Sequence, residues 1–147
     1  MDTVPYLIFD GQAEEAFHFY ADVLQAENLG LTKFRDAPAD PNEPALPEGA
    51  ENRVMNATLQ LPNGSLLMFS DTFPGMPYQK GNNVSLTLVF DNMDETKITF
   101  DKLADGGTIS MELQETFWSP LYGNFVDKFG VEWQVSTATD ESTATEI

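Results

Sequence analysis

An internal repeat constrains this chain more than any other feature. Leu7-Ile8-Phe9-Asp10 returns as Leu88-Val89-Phe90-Asp91, an offset of 81 positions (91 − 10). At the same offset Glu14 meets Glu95, Phe17 meets Ile98 and Phe19 meets Phe100. A second echo sets Gly64-Ser65-Leu66-Leu67-Met68-Phe69-Ser70 against Gly130-Val131-Glu132-Trp133-Gln134-Val135-Ser136. Two copies are too few for a solenoid, in which each repeat hides its apolar face on the next. They fit a pair of strand–helix–strands modules, and such a pair tends to leave a cleft of the kind small ligands enter.

The pattern along the chain is β-α-β-β-β, twice. Thr3 to Phe9 reads as a strand turned by Asp10-Gly11. Over Gln12 to Gln25, Ala13, Ala16, Phe17, Tyr20, Val23 and Leu24 make one helical stripe. Asn28 to Arg35 alternates as a half-buried strand. Asp36 to Asn52 carries Pro38, Pro41, Pro44 and Pro47, which deny helix and ladder alike their N–H donors, so it reads as a loop. Strands follow over Arg53 to Leu61 and Ser65 to Ser70, joined at Pro62-Asn63-Gly64, because Asn-Gly suits positive φ. After a loop at Asp71 to Asn83, the second module repeats the order. It has a strand at Val84 to Phe90, a helix at Met93 to Ala104, a strand at Thr108 to Leu113 and a final hairpin around Phe129-Gly130. The fold class expected is α+β, one domain over residues 1–137 built of modules 1–72 and 83–137, with a disordered acidic tail at 138–147.

Composition narrows the partners. The 147 residues carry 24 Asp and Glu against 7 Lys and Arg, a formal net charge of −17. Phosphate backbones need clustered cations, so nucleic acid is not an expected partner, nor is an anionic membrane. No apolar run approaches the roughly 20 residues a bilayer demands. Met1-Asp2-Thr3-Val4-Pro5 is acidic and runs straight into a strand, unlike a signal peptide. With no cysteine there is neither disulfide nor thiolate chemistry. A cytoplasmic protein is expected.

Several blocks carry a family signature. They are Pro5-Tyr6-Leu7-Ile8-Phe9-Asp10-Gly11, Glu15-Ala16-Phe17-His18-Phe19-Tyr20, Met68-Phe69-Ser70-Asp71, Gln114-Glu115-Thr116-Phe117-Trp118 and Asp127-Lys128-Phe129-Gly130-Val131-Glu132-Trp133. With them the chain resembles the PhnB-like family of the vicinal oxygen chelate superfamily, which includes glyoxalase I, extradiol dioxygenases and the fosfomycin and bleomycin resistance proteins. The resemblance implies paired βαβββ modules, each sheet curving round a cleft, and a homodimer. It also implies a divalent metal held by His and Glu from the first and last strands of each module. At the corresponding places this chain has Val4, Met68, Ser85 and Gln134, and a one-residue slip offers only Pro5, Tyr6 or Glu132. Hydroxyl, thioether and amide are poor ligands for Zn, Fe or Mn, so no metal and no other cofactor is expected. Relatives sometimes carry a methyltransferase label, but no strand–Gly-rich turn–helix stands here to receive such a cofactor.

The candidate site residues follow. Glu115 is the candidate catalytic base; Tyr6, Met68, Ser85, Gln114, Phe117, Trp118, Tyr122 and Gln134 are the candidate ligand-binding residues. Phe117 and Trp118 read either as walls of a ligand site or as packing that plugs the cleft or a dimer seam, and Glu115 either as a base or as a cap on backbone amides. Trp133 alternates with Gln134, so it should face outward or toward a partner. His18, the single histidine, reads as a solvated helix residue beside Glu14. Two functions stand at this point. One is a metal-free protein binding an unidentified apolar or aromatic small molecule. The other is a glyoxalase- or lyase-type enzyme with Glu115 as base, with or without a divalent metal at an unexpected site.

Overall fold

The computed structural model describes residues 1–38 and 40–139. The expected tail lies outside the described residues from position 140 on; before that point Ala138 still donates its N–H to the Phe90 carbonyl at 2.8 Å. The chain divides into two compact units between Gln79 and Lys80.

The first unit runs β1 (Tyr6–Phe9), α1 (Ala13–Val23), β2 (Glu27–Lys33), β3 (Val54–Gln60) and β4 (Leu66–Asp71). Its sheet has the order β1-β4-β3-β2, with β1 parallel to β4 and the other pairs antiparallel. The second unit repeats this with β5 (Leu86–Phe90), α2 (Met93–Leu103), β6 (Thr108–Gln114), β7 (Tyr122–Val126) and β8 (Glu132–Thr137), in the order β5-β8-β7-β6. Among the described residues, two α-helices and eight strands in two four-stranded mixed sheets make the α+β class expected.

Register shows the repeat as geometry. Tyr6 pairs with Met68 in the first unit, and Thr87 pairs with Gln134 in the second. These are the same places under the two offsets, 81 for the first strand and 66 (134 − 68) for the last. The hairpin glycines Gly64 and Gly130 both take positive φ, 93° and 89°. Gly64 alone carries that strain-free role in its turn; the Asn63 side chain instead accepts from the Ser65 N–H at 3.1 Å, the local bond that makes Asn a turn former.

Each helix covers one face of its own sheet. All six stripe residues of the first helix are buried, and Phe17 meets Phe69 edge-on at 5.5 Å. In α2 the buried residues are Thr96, Thr99, Phe100 and Leu103. This corrects the helix matches from the repeat, Phe17 with Ile98 and Phe19 with Phe100. Phe17 is fully buried, while Ile98 is 55% exposed. The buried faces superpose Ala13 on Thr96, Ala16 on Thr99 and Phe17 on Phe100, an offset of 83 (100 − 17). A helix turns about 100° per residue, so a two-residue slip from 81 carries Ile98 to the opposite side.

The two helices are also started differently. The Asn92 side chain accepts the Glu95 N–H at 2.8 Å, an ordinary N-cap. At α1 the cap comes from 58 residues away: buried Asp71, at the end of β4, accepts the Ala13 N–H at 3.0 Å. The same carboxylate takes Gly11 N–H at 2.7 Å and Val54 N–H at 2.9 Å, so it binds β3, β4 and the helix start together.

Candidate functional site

Strand alternation sorts the second sheet into two faces. Trp133, Val135 and Phe125 point toward α2 and are buried. Trp133, expected to face outward, is 1% exposed, because the side of the strand opposite Gln134 is the side the helix covers. The other face carries Glu132, Gln134, Tyr122 and Asn124, with Ser85 just before β5.

On that face the polar side chains are joined. The Tyr122 hydroxyl donates to Gln134 Oε1 at 2.5 Å, and Gln134 Nε2 donates to Ser85 Oγ at 2.8 Å. Asn124 Nδ2 reaches the Tyr122 hydroxyl at 3.4 Å. Three of the predicted residues, Ser85, Tyr122 and Gln134, are therefore one hydrogen-bonded chain across β5, β8 and β7. They floor an open depression of about 250 Å³ that Ser110 and Glu132 also line. Asn124 and Ser110 were missed by sequence reasoning, which met Glu132 only as a slipped place for a metal ligand. Asn124 stands two residues after Tyr122 on the same strand face, a signal strand alternation alone contains.

The connector from β6 to β7 brings in the aromatic part. Gln114 pairs with Tyr122 at the end of β6. The rings of Trp118 and Tyr122 meet edge to face at 5.2 Å, and those of Phe117 and Trp118 at 4.8 Å. Phe117 is 97% exposed and Trp118 47%. Phe117 is thus almost wholly in water, while Trp118 is half covered and packs one side on Tyr122. The connector is held from beneath: Ser119, buried, donates its hydroxyl to the Thr137 carbonyl at 2.8 Å and accepts the Thr137 N–H at 3.1 Å. Thr116 and Ser119 close the turn through Thr116 N–H to Ser119 O at 2.9 Å. The amide-capping role considered for Glu115 thus falls to Thr116, whose hydroxyl accepts Ser119 N–H at 3.1 Å. Glu115 is exposed.

Tyr6 and Met68 belong to the first unit. They are side by side on the face of that sheet away from α1, with Asn56 Nδ2 at 3.4 Å from the Tyr6 hydroxyl. His18 stands on the exposed side of α1, 3.9 Å from Glu14, which also receives Lys33 at 3.2 Å.

The donor set does not suit a divalent metal. Ser85, Gln134 and Tyr122 supply hydroxyl and amide groups already committed to one another, whereas Zn, Mn and Fe take imidazole and carboxylate. Among the described residues no three His, Asp or Glu converge into such a cluster, and no helix is long and apolar enough to cross a membrane.

Residues 1–136 match the family described as 3-demethylubiquinone-9 3-methyltransferase. Protein YjdN of Escherichia coli (strain K12) is 35% identical over 150 residues, which is 97% of this chain and 99% of the relative. Protein PA1353 from Pseudomonas aeruginosa shares the fold with a TM-score of 0.84 at 36% identity, over 95% of this chain and 99% of that one. The PhnB protein from Bacillus cereus follows at 0.75 and 32%, over 94% and 100%. A point mutant of the fosfomycin resistance protein FosX from Listeria monocytogenes, complexed with Mn(II) and a dihydroxypropylphosphonic acid, matches at 0.65 with 10% identity over 99% and 98%, a likeness of fold alone.

Proposed function

The chain belongs to the 3-demethylubiquinone-9 3-methyltransferase family, the PhnB-like branch of the vicinal oxygen chelate superfamily, and from that premise we propose that it binds a small apolar or aromatic molecule without a metal. The observation that carries this reading is the exposure of Phe117 and Trp118 beside an ordered polar floor. Large rings left in water lose about 25 cal/mol for each Å² that a ligand would cover. An exposed apolar patch rimmed by polar groups is how ligand sites present themselves. The tyrosine–glutamine–serine chain would orient one polar atom of the ligand, as few but well-placed polar groups do in such sites.

Neither methyl transfer nor metal chemistry enters this reading. The first has no Gly-rich cofactor turn in the sequence, and the second has no fitting ligand set at Ser85 and Gln134. Glu115 as a general base draws little support, since it is exposed and no neighbour orients it. We place the protein in the cytoplasm as a homodimer, with light scattering as the check.

The test is a thermal-shift screen of small aromatic and aliphatic compounds, followed by titration of the hits against Gln134→Leu and Trp118→Leu. Hits weakened by both substitutions are expected. A broad library that leaves the melting temperature unmoved would sink the proposal.

A further inference from the structure

The hydrogen bonds that the polar floor leaves unmade say what kind of polar group it takes. We propose that the depression on the second sheet receives an uncharged carboxamide, as carried by a primary amide, a urea or a lactam. This rests on the small-molecule reading above and deepens it by naming the polar end of the ligand.

The first argument is position. Asn124 stands opposite Gln134, and Val126 opposite Glu132, in the β7–β8 ladder. Leu86 is paired with Trp133, so Ser85, one residue earlier, is level with Glu132 on the other flank of β8. Ser85 is bonded to Gln134 at 2.8 Å, and Glu132, two residues before Gln134, shares its strand face. Ser85, Asn124, Glu132 and Gln134 are thus neighbours on one face, and all four line the same depression of about 250 Å³.

The second argument is unspent hydrogen-bonding capacity. A side-chain amide has two N–H donors and an accepting oxygen, and a hydroxyl both gives and takes. Gln134 spends one N–H on Ser85 Oγ, and Asn124 spends one on the Tyr122 hydroxyl. Among the described residues nothing takes the second N–H of Gln134 or of Asn124, and nothing takes the Ser85 O–H. The Asn124 oxygen accepts from none of them either. Glu132 adds a carboxylate, which when ionised only accepts. Donors on Ser85, Gln134 and Asn124 therefore stand beside acceptors on Asn124 and Glu132.

The third argument is charge. None of the lining residues is Lys or Arg. An anion would suit the donors but would meet Glu132 without a counter-ion. An ammonium or amidinium would suit Glu132 but has no lone pair for the donors. A carboxamide answers both sets at once, since its oxygen accepts and its N–H groups donate.

Chemical-shift titration with benzamide, benzoate and benzamidine, three probes of one shape that differ in charge, tests this. Benzamide should bind about tenfold tighter than either ion, and should move the side-chain N–H₂ signals of Gln134 and Asn124. Ser85→Ala should weaken benzamide by about two- to tenfold, and Asn124→Leu should weaken it as well. Glu132→Gln should narrow the gap between benzamide and benzoate, a change that a merely structural glutamate would not cause. Ser85 is exposed, so Ser85→Ala keeps the test open if Asn124→Leu misfolds. Equal or tighter binding of benzoate or benzamidine would overturn the amide inference and leave the apolar-ligand reading standing. A benzamide affinity unmoved by Ser85→Ala would do the same. No binding by any of the three would also overturn it, and the broad screen alone would then decide the parent proposal.

Discussion

The indole Nε1 of Trp133 donates to Asp127 Oδ2 at 2.8 Å, with both residues buried in the second unit. The other oxygen of that carboxylate accepts Phe129 N–H at 2.8 Å and Val131 N–H at 3.0 Å. One side chain therefore fixes the β7–β8 hairpin and the rotamer of the largest core residue. Asp127→Asn keeps an acceptor for the turn but turns an amide N–H₂ toward the indole donor. A buried polar group facing its like costs about 1–3 kcal/mol. Urea unfolding should show that loss, and Asp127→Ala, which orphans three donors, should lose more. Wild-type stability in Asp127→Asn would show that the carboxylate is not the tie.

Gly123 and Ala57 occupy equivalent places, each opposite the residue that anchors its sheet, Val135 and Phe69. At Gly123 the space a Cβ would need is already filled, from both α2 and β6. A Cβ on Gly123 would lie 2.6 Å from the Phe100 ring, 3.0 Å from the Met111 carbonyl oxygen and 3.2 Å from Leu113. Gly123→Ala should destabilise by about 1–3 kcal/mol through overpacking, although alanine serves at the matching position. Co-substitution of Phe100→Leu should recover part of the loss, and thermal melts of the single and double variants measure it.

Local alternation and the repeat were enough to place the strand order and both helices, because each strand writes its buried side into every second residue, but they left Trp133 on the wrong face. Ser85 and Gln134 came from the places the family resemblance assigns to metal ligands, carried between modules by the repeat, and Tyr122 from its pairing of a ring with a polar tip. What stayed hidden were ties between residues far apart in the chain. Nothing near Asp71 announces that it caps a helix starting 58 residues earlier, and nothing near Arg53 shows that its guanidinium lies 2.9 Å from Asp10. The α2 face was misread for a related reason. The strand offset was carried through a helix whose period differs from the strand's, so two residues of slip became a half-turn. The exposure of Phe117 and Trp118 was equally out of reach, since composition pushes large aromatics inside by default.

Asp10 and Tyr78, both in the first unit, are displaced from their ordinary values by their surroundings. The Asp10 carboxyl is held below its usual 3.8 by hydrogen bonds from Arg53 and then Thr72. A depressed folded-state value favours the fold above the unfolded value and loses that contribution as pH falls through the folded one. The Tyr78 phenol is raised above its usual 10.0, first by burial and then by the negative charges of Asp10 and Asp71. A raised tyrosine favours the fold below the unfolded value and loses that contribution as pH rises through the folded one. Tyrosinate absorbance should therefore lose one late-ionising phenol in Tyr78→Phe. Asp10→Asn should bring it part of the way back and flatten the acid limb of the unfolding curve. A Tyr78 that ionises with the free amino acid would remove the argument.

Phe69 and Phe117 are both phenylalanines, and they should answer substitution in opposite ways. Phe69 is fully buried among Phe9, Phe17 and Tyr20, with ring centroids 5.5–6.4 Å away. Phe69→Ala leaves a cavity that the flanking rings cannot fill, a loss of about 3–5 kcal/mol. Phe117 stands in water and touches Trp118 alone among the rings. Phe117→Ser should change stability by no more than about 0.5 kcal/mol. If it does so while abolishing ligand binding, the ring is retained for recognition. A Phe117→Ser variant that unfolds in milder urea than the wild type would instead assign the ring to holding the protein together, and the site proposed on it would lose its outer wall.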